Sequence, residues 1–129
     1  MMHADAILFD LDGTLTDRQK TFDRFARRFA SEFALETSGI HAFSVAQLIK
    51  GCHLGRLPSR EQVCAILQQR IPWMRTPALA ELVRFWDKEL PAVAVGMDGV
   101  HDVLRSLKAR SLNIGIVTNG RGRKQRRKI

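Results

Sequence analysis

AILFDLDGTLTD, residues 6–17, sets an apolar run directly against an acidic turn that contains a glycine. The run over residues 4–9, centred on AILF, suits a short strand buried in a sheet better than one facing water. Asp10 and Asp12 follow two residues apart, and Gly13 permits a turn or a close approach of backbone to a ligand. The carboxylates therefore emerge where strand becomes loop, which is where parallel α/β proteins place ligand sites. NIGIVTNG, residues 113–120, repeats the pattern: an apolar segment over 112–117 ends at Thr118, Asn119 and Gly120. Strand-to-loop units at both ends of a long helical stretch predict an α/β core interrupted by a helical insertion, not an all-helical bundle.

The stretch between them carries helical periodicity. Phe22, Phe25, Phe29 and Phe33 recur at intervals of three, four and four, so they line one helix face, and the spacing reads as a packing stripe rather than an aromatic ligand box. Ser44 with Gln47 resembles a capping box for a short helix through Lys50, and Ser59 with Gln62 offers another just after Pro58. Gly51, Gly55 and Pro58 mark a connection. Pro77 can open a further helix whose apolar side is Leu79, Leu82, Val83 and Trp86. Pro91 and the stretch 92–99 interrupt the periodicity before Val100, Val103, Leu104 and Leu107 define the helix that leads into the second strand.

At 129 residues the chain has room for about one domain. Hydrophobic residues at 45% and charged residues at 26% exclude a disordered or fibrous class. No apolar run approaches the roughly 20 residues of a membrane span, and the first residues lack the basic start and cleavage site of a secretory signal, so no membrane role and a cytoplasmic location are expected. Cys52 and Cys64 form no CxxC pair, and His53 beside the first creates no zinc-ligand spacing, so both read as reduced structural thiols. The formal charge is +8, but six positive residues (Arg121, Arg123, Lys124, Arg126, Arg127 and Lys128) fall in the last nine positions, and removing them leaves +2. A cluster this dense can attract nucleic acid or an acidic membrane through its summed field. Without aromatic stacking residues or a base-reading motif it reads instead as the solvated start of a helix.

Two carboxylates can organise a magnesium ion through oxygen ligands, and the ion in turn offsets the charge of phosphate oxygens. The two need not share one task. Asp10, at the strand end, is the candidate nucleophile that attacks phosphorus and forms an acyl phosphate; Asp12 is the candidate general acid and base for the leaving oxygen and then for water. On spacing alone, helix capping or solvent binding competes with this reading. Thr118 offers a hydroxyl to a phosphoryl oxygen, and Asn119 and Gly120 offer backbone N–H groups at the start of a helix, with ordinary capping again the alternative.

The segment AILFDLDGTLTD, with Asp10, Asp12, Gly13 and Thr14 in order, resembles the first signature of the haloacid dehalogenase-like hydrolase superfamily, and NIGIVTNG resembles its second. The helical insertion between them is similar to the cap of the phosphoglycolate-phosphatase-like branch. The resemblance implies an incomplete Rossmann-like parallel-sheet core interrupted by a helical cap, with residues 1–16 as the first part of the core, 17–90 as the cap and 91–129 as the second part. It implies that Asp10 is the phosphorylated nucleophile, that Asp12 is the acid/base and a backbone-carbonyl ligand to magnesium, so that Asp10 and Asp12 together hold the metal, and that Thr118 binds phosphate. Relatives that displace halide lack an acid at the position of Asp12, so its presence points to phosphate monoesters, hence to a small phosphorylated metabolite. A phosphomutase can use the same pair.

The third and fourth signatures of the family, a lysine and a second acidic group, find no candidate. Lys124 and Lys128 stand too early for the lysine, and Asp98 and Asp102 precede the second signature and read as solvated or helix-terminal acids. The expectation is therefore an amino-terminal portion with little or no turnover of its own, whose reading frame continues within roughly 20 to 60 residues into another strand, a lysine and clustered acids. It also predicts an uncovered edge on the first strand, to be closed by another chain, in a homo-oligomer or in a pseudoenzyme that serves as an interaction module.

Overall fold

A computed structural model describes residues 3–37, 41–52, 59–120 and 122–129. The chain divides into two compact units: Met1–Thr21 with Ala94–Ile129, and Phe22–Val93. The first is α/β. Strand β1 (Ala6–Phe9) pairs in parallel with β2 (Asn113–Ile116) in the register Phe9↔Ile116, and Val117 N–H extends the ladder to Phe9 C=O at 2.8 Å. Helix α5 (Val100–Ala109) precedes β2, and a short helix α6 (Gly122–Arg126) follows it. The fold class read from the two strand-to-loop units is thus the one observed.

The strands are less buried than their composition predicts. Leu8 is 67% exposed, and Ile114, Ile116 and Val117 are exposed as well. The reason lies in the pairing: among the described residues β1 has β2 as its sole neighbour, and the position opposite Leu8 is Gly115, which brings no side chain to the pair. A Cβ at Gly115 would sit 2.7 Å from Leu8 Cδ2, so the leucine lies over bare backbone.

The second unit is helical. Helix α1 (Arg18–Glu32), whose first turn belongs to the α/β unit, carries the phenylalanine stripe, and α2 (Ala42–Cys52), α3 (Arg60–Arg70) and α4 (Leu79–Ala92) complete the unit. Phe22, Phe25, Phe29 and Phe33 are all buried, with Phe25 against Trp86 at 4.7 Å between ring centroids and Phe33 against Phe85 at 5.3 Å. Val45, Ile49, Val63, Leu67 and Leu82 close the same core. The stripe is a packing face, as its spacing predicts. Ser59 and Gln62 form the expected capping box: the serine Oγ accepts from Gln62 N–H and the glutamine Oε1 from Ser59 N–H.

Three local expectations change. Helix α2 already runs at Ala42, so Ser44 lies inside it and caps nothing; the apolar pair Ala42–Phe43 extends the helical pattern past the polar residue. Pro91 does not end its helix, because in the last turn a proline forfeits one hydrogen bond and α4 continues to Ala92. Leu79, assigned to the apolar side of α4, stays 38% exposed in the first turn while Leu82 and Trp86 are buried. His53, Gly55, Pro58 and Arg121 lie outside the described residues.

Candidate active site

The loop after β1 is tied by one carbonyl. Leu11, whose side chain is buried, accepts the backbone N–H groups of Thr14, Leu15 and Thr16 at 3.0–3.3 Å, and Thr16 Oγ1 also donates to it at 3.3 Å. Gly13 takes φ +79°, a left-handed conformation that disfavours side chains, and its N–H closes the turn on Thr16 C=O at 3.1 Å. The segment 95–97 anchors the far side: Asp17 N–H reaches Val95 C=O at 2.7 Å, and Met97 N–H reaches Leu15 C=O at 2.8 Å. This bracing holds Asp10 and Asp12 at the carboxyl end of the sheet, where Thr118 also leaves β2.

Asp10 is exposed, and Thr14 Oγ1 donates to its Oδ2 over a long 3.4 Å. Asp12 is far more engaged. Gln125 Nε2 donates to Asp12 Oδ2 at 3.0 Å, and Lys128 Nζ donates to Asp12 Oδ1 at 2.8 Å. The Gln125 amide also donates to Thr118 Oγ1, and Gly120 N–H turns back on the same oxygen at 3.5 Å. Partial burial pushes the Asp12 carboxyl up, but the Gln125 and Lys128 hydrogen bonds and the charges of Lys128 and Arg18 outweigh it, and the group is held below the ordinary carboxylate range.

The structure thus brings Asp12 and Thr118 within reach of one side chain and leaves Asp10 open on the same loop. Asn119 and Gly120 are exposed, and the one described polar contact of Gly120 N–H is with Thr118. The sequence pattern marks neither Gln125 nor Lys128 as a site residue. Both reach the site because α6 and the turn after it fold back toward β1, and residues three apart share a helix face. The three-residue spacing is the signal, hidden in sequence inside a run of like charges. Asp98 and Asp102 are solvated, as expected: Asp98 pairs with Lys20 at 3.0 Å and Asp102 with Arg105 at 3.7 Å.

For magnesium the donors are right in kind, since Asp10 offers a hard carboxylate oxygen and this ion commonly takes one or two carboxylates and fills its octahedron with water and phosphate oxygens. Among the described residues no three His, Cys, Asp or Glu side chains cluster as a ready metal cage. Each carboxylate oxygen of Asp12 accepts one hydrogen bond, from Gln125 and from Lys128.

The family model of the haloacid dehalogenase-like hydrolases matches residues 4–129. No curated protein matches the chain. Solved structures that share the fold include the HAD-hydrolase YfnB from Bacillus subtilis, bound to magnesium, at a TM-score of 0.66 and 20% identity, and a HAD family hydrolase from Deinococcus radiodurans R1, with bound phosphate and sodium, at 0.57 and 20% identity. They cover 98% and 97% of this chain, which spans 57% and 51% of theirs. Among the described residues no helix is long and apolar enough to cross a membrane.

Proposed function

The chain belongs to the haloacid dehalogenase-like hydrolase family, and on that premise we propose that the whole protein hydrolyses a small phosphate monoester, with magnesium, through an aspartyl-phosphate on Asp10. The observation that carries this reading is the meeting of Asp10, Asp12 and Thr118 at the carboxyl ends of two hydrogen-bonded parallel strands, with one glutamine amide spanning Asp12 and Thr118. The exposed Asp10 carboxylate attacks phosphorus, the leaving oxygen takes a proton from Asp12, and Asp12 then draws a proton from the water that cleaves the acyl phosphate. Thr118 and the backbone N–H of Asn119 hold phosphoryl oxygens, and the Gly120 N–H supports the threonine hydroxyl. Asp10 and the Asp12 backbone carbonyl would hold magnesium, which would supply charge neutralisation at the phosphoryl group. In the acid step Asp12 must carry a proton, and Lys128 favours its carboxylate, so the pair has to loosen as the ester binds. The helical unit Phe22–Val93 plays the part of a cap of the phosphoglycolate-phosphatase type that selects the substrate.

Phosphate release from the full-length protein is expected only with magnesium, and Asp10→Asn should abolish the acid-stable, hydroxylamine-sensitive phosphoenzyme. Equal turnover by that variant would remove Asp10 as nucleophile; transfer of the phosphoryl group to a second hydroxyl instead of water would make the enzyme a mutase. A second reading is favoured by the exposed Leu8, Ile116 and Val117: the α/β unit serves as an interaction module whose open sheet face a further chain covers. Sedimentation showing a monomer at every concentration would count against a second copy in that place.

A further inference from the structure

Gln125 is a polar side chain on an otherwise basic, solvent-facing helix, yet it is only 5% exposed. A buried amide needs partners, and this one directs its donor group at Asp12 Oδ2 and Thr118 Oγ1 together, using both hydrogens of one nitrogen. The neighbouring backbone is shaped around it. A Cβ at Gly120 would lie 2.4 Å from Gln125 Cδ and 2.5 Å from Nε2, so position 120 has room for the amide because it lacks a side chain.

We propose, resting on the phosphatase reading above, that Gln125 is a positioning residue: its amide locks Thr118 to Asp12 and fixes the Thr118 hydroxyl as a donor toward a phosphoryl oxygen. A hydroxyl has one hydrogen and two lone pairs. Thr118 Oγ1 accepts from Gln125 and, over a longer distance, from Gly120 N–H. What remains to offer a ligand is its own O–H, and phosphate oxygens accept hydrogen bonds. Without Gln125 the hydroxyl is free to rotate, and its hydrogen is directed at the ligand only part of the time. The same nitrogen bridges Asp12 Oδ2 and Thr118 Oγ1, so the positions of the two side chains are coupled.

The test is a double-mutant cycle read by the affinity of the full chain for inorganic phosphate, followed by 31P NMR, with Gln125→Met and Thr118→Val. Methionine keeps the length and the helix propensity of glutamine and removes the amide, its two N–H donors and its carbonyl acceptor together. Each single change should weaken phosphate binding about tenfold, the scale of one hydrogen bond to a charged ligand, and the double variant should be no weaker than either single one. Gly120→Ala, which pushes the amide aside while keeping it, should reproduce Gln125→Met and provides the same reading if the methionine variant does not fold. Independent, multiplying losses, or full affinity in Gln125→Met, would overturn the role of Gln125 while leaving phosphate binding at this loop intact. A wild-type chain that binds no phosphate would overturn both the inference and the Thr118 assignment beneath it, whereas the phosphoenzyme assay on Asp10→Asn judges the nucleophile separately.

Discussion

Replacing Lys128 by methionine isolates the charge that rests on Asp12. The methionine keeps most of the aliphatic stem, so what disappears is the 2.8 Å contact with Asp12 Oδ1. The lysine side chain is 15% exposed and the aspartate side chain 47%, so one partner is largely withdrawn from water and the other is not. A charge-assisted hydrogen bond in a dry site is worth about 1.5–3 kcal/mol and an exposed ion pair about 0.2–1 kcal/mol. The half-exposed aspartate places this pair near the boundary, and screening by water brings the expected loss to roughly 1 kcal/mol. The pH dependence follows from the direction of the Asp12 shift. Its carboxyl is held below the ordinary value of 3.8 in the folded chain, so the pair contributes stability above the unfolded value and loses it as pH falls through the folded one. Urea unfolding of both proteins should therefore differ by about 1 kcal/mol at pH 7 and at pH 5, and the two curves should converge below pH 3.8. Carboxyl 13C titration should show the Asp12 midpoint moving up in the variant. A difference that stays constant down to pH 2 would mean that lost stem packing, not charge, is responsible, and an unmoved Asp12 midpoint would refute the contact itself.

Phe25→Ala removes a fully buried ring that meets Phe29, Phe85 and Trp86, and chemical denaturation should register a loss of about 3–5 kcal/mol. Ser59→Ala deletes half of a reciprocal cap at the start of α3 and should cost about 1 kcal/mol; a neutral result would show that Gln62 alone satisfies the helix end. Burial raises the Cys64 thiol to about 12, so at pH 8 only about one molecule in 10,000 carries the thiolate there, and iodoacetamide should label the less buried Cys52 first and Cys64 only on unfolding. Equal labelling rates in the folded chain would contradict the packing of α3.

Much of this protein is local information. An apolar run ending in Asp10 and Asp12, with Gly13 free to turn, is a strand-to-loop element whatever follows it, because the alternation of burial and the conformational freedom of glycine act over a few residues. The phenylalanine stripe of α1 and the capping box of α3 were legible for the same reason. Burial of the strands was not, since it depends on which neighbours flank a sheet: Leu8 is apolar in a strand and still exposed, opposite a glycine. The environment of Asp12 was not legible either. Gln125 and Lys128 lie 113 and 116 residues from it along the chain, in a run where every charge looks equivalent. Sequence determines that an acidic pair and a threonine follow two strands. Only the tertiary structure decides which of the tail's polar groups turn inward, because that depends on the parallel pairing of β1 and β2 and on the return of α6 toward the first loop, contacts that no local rule encodes.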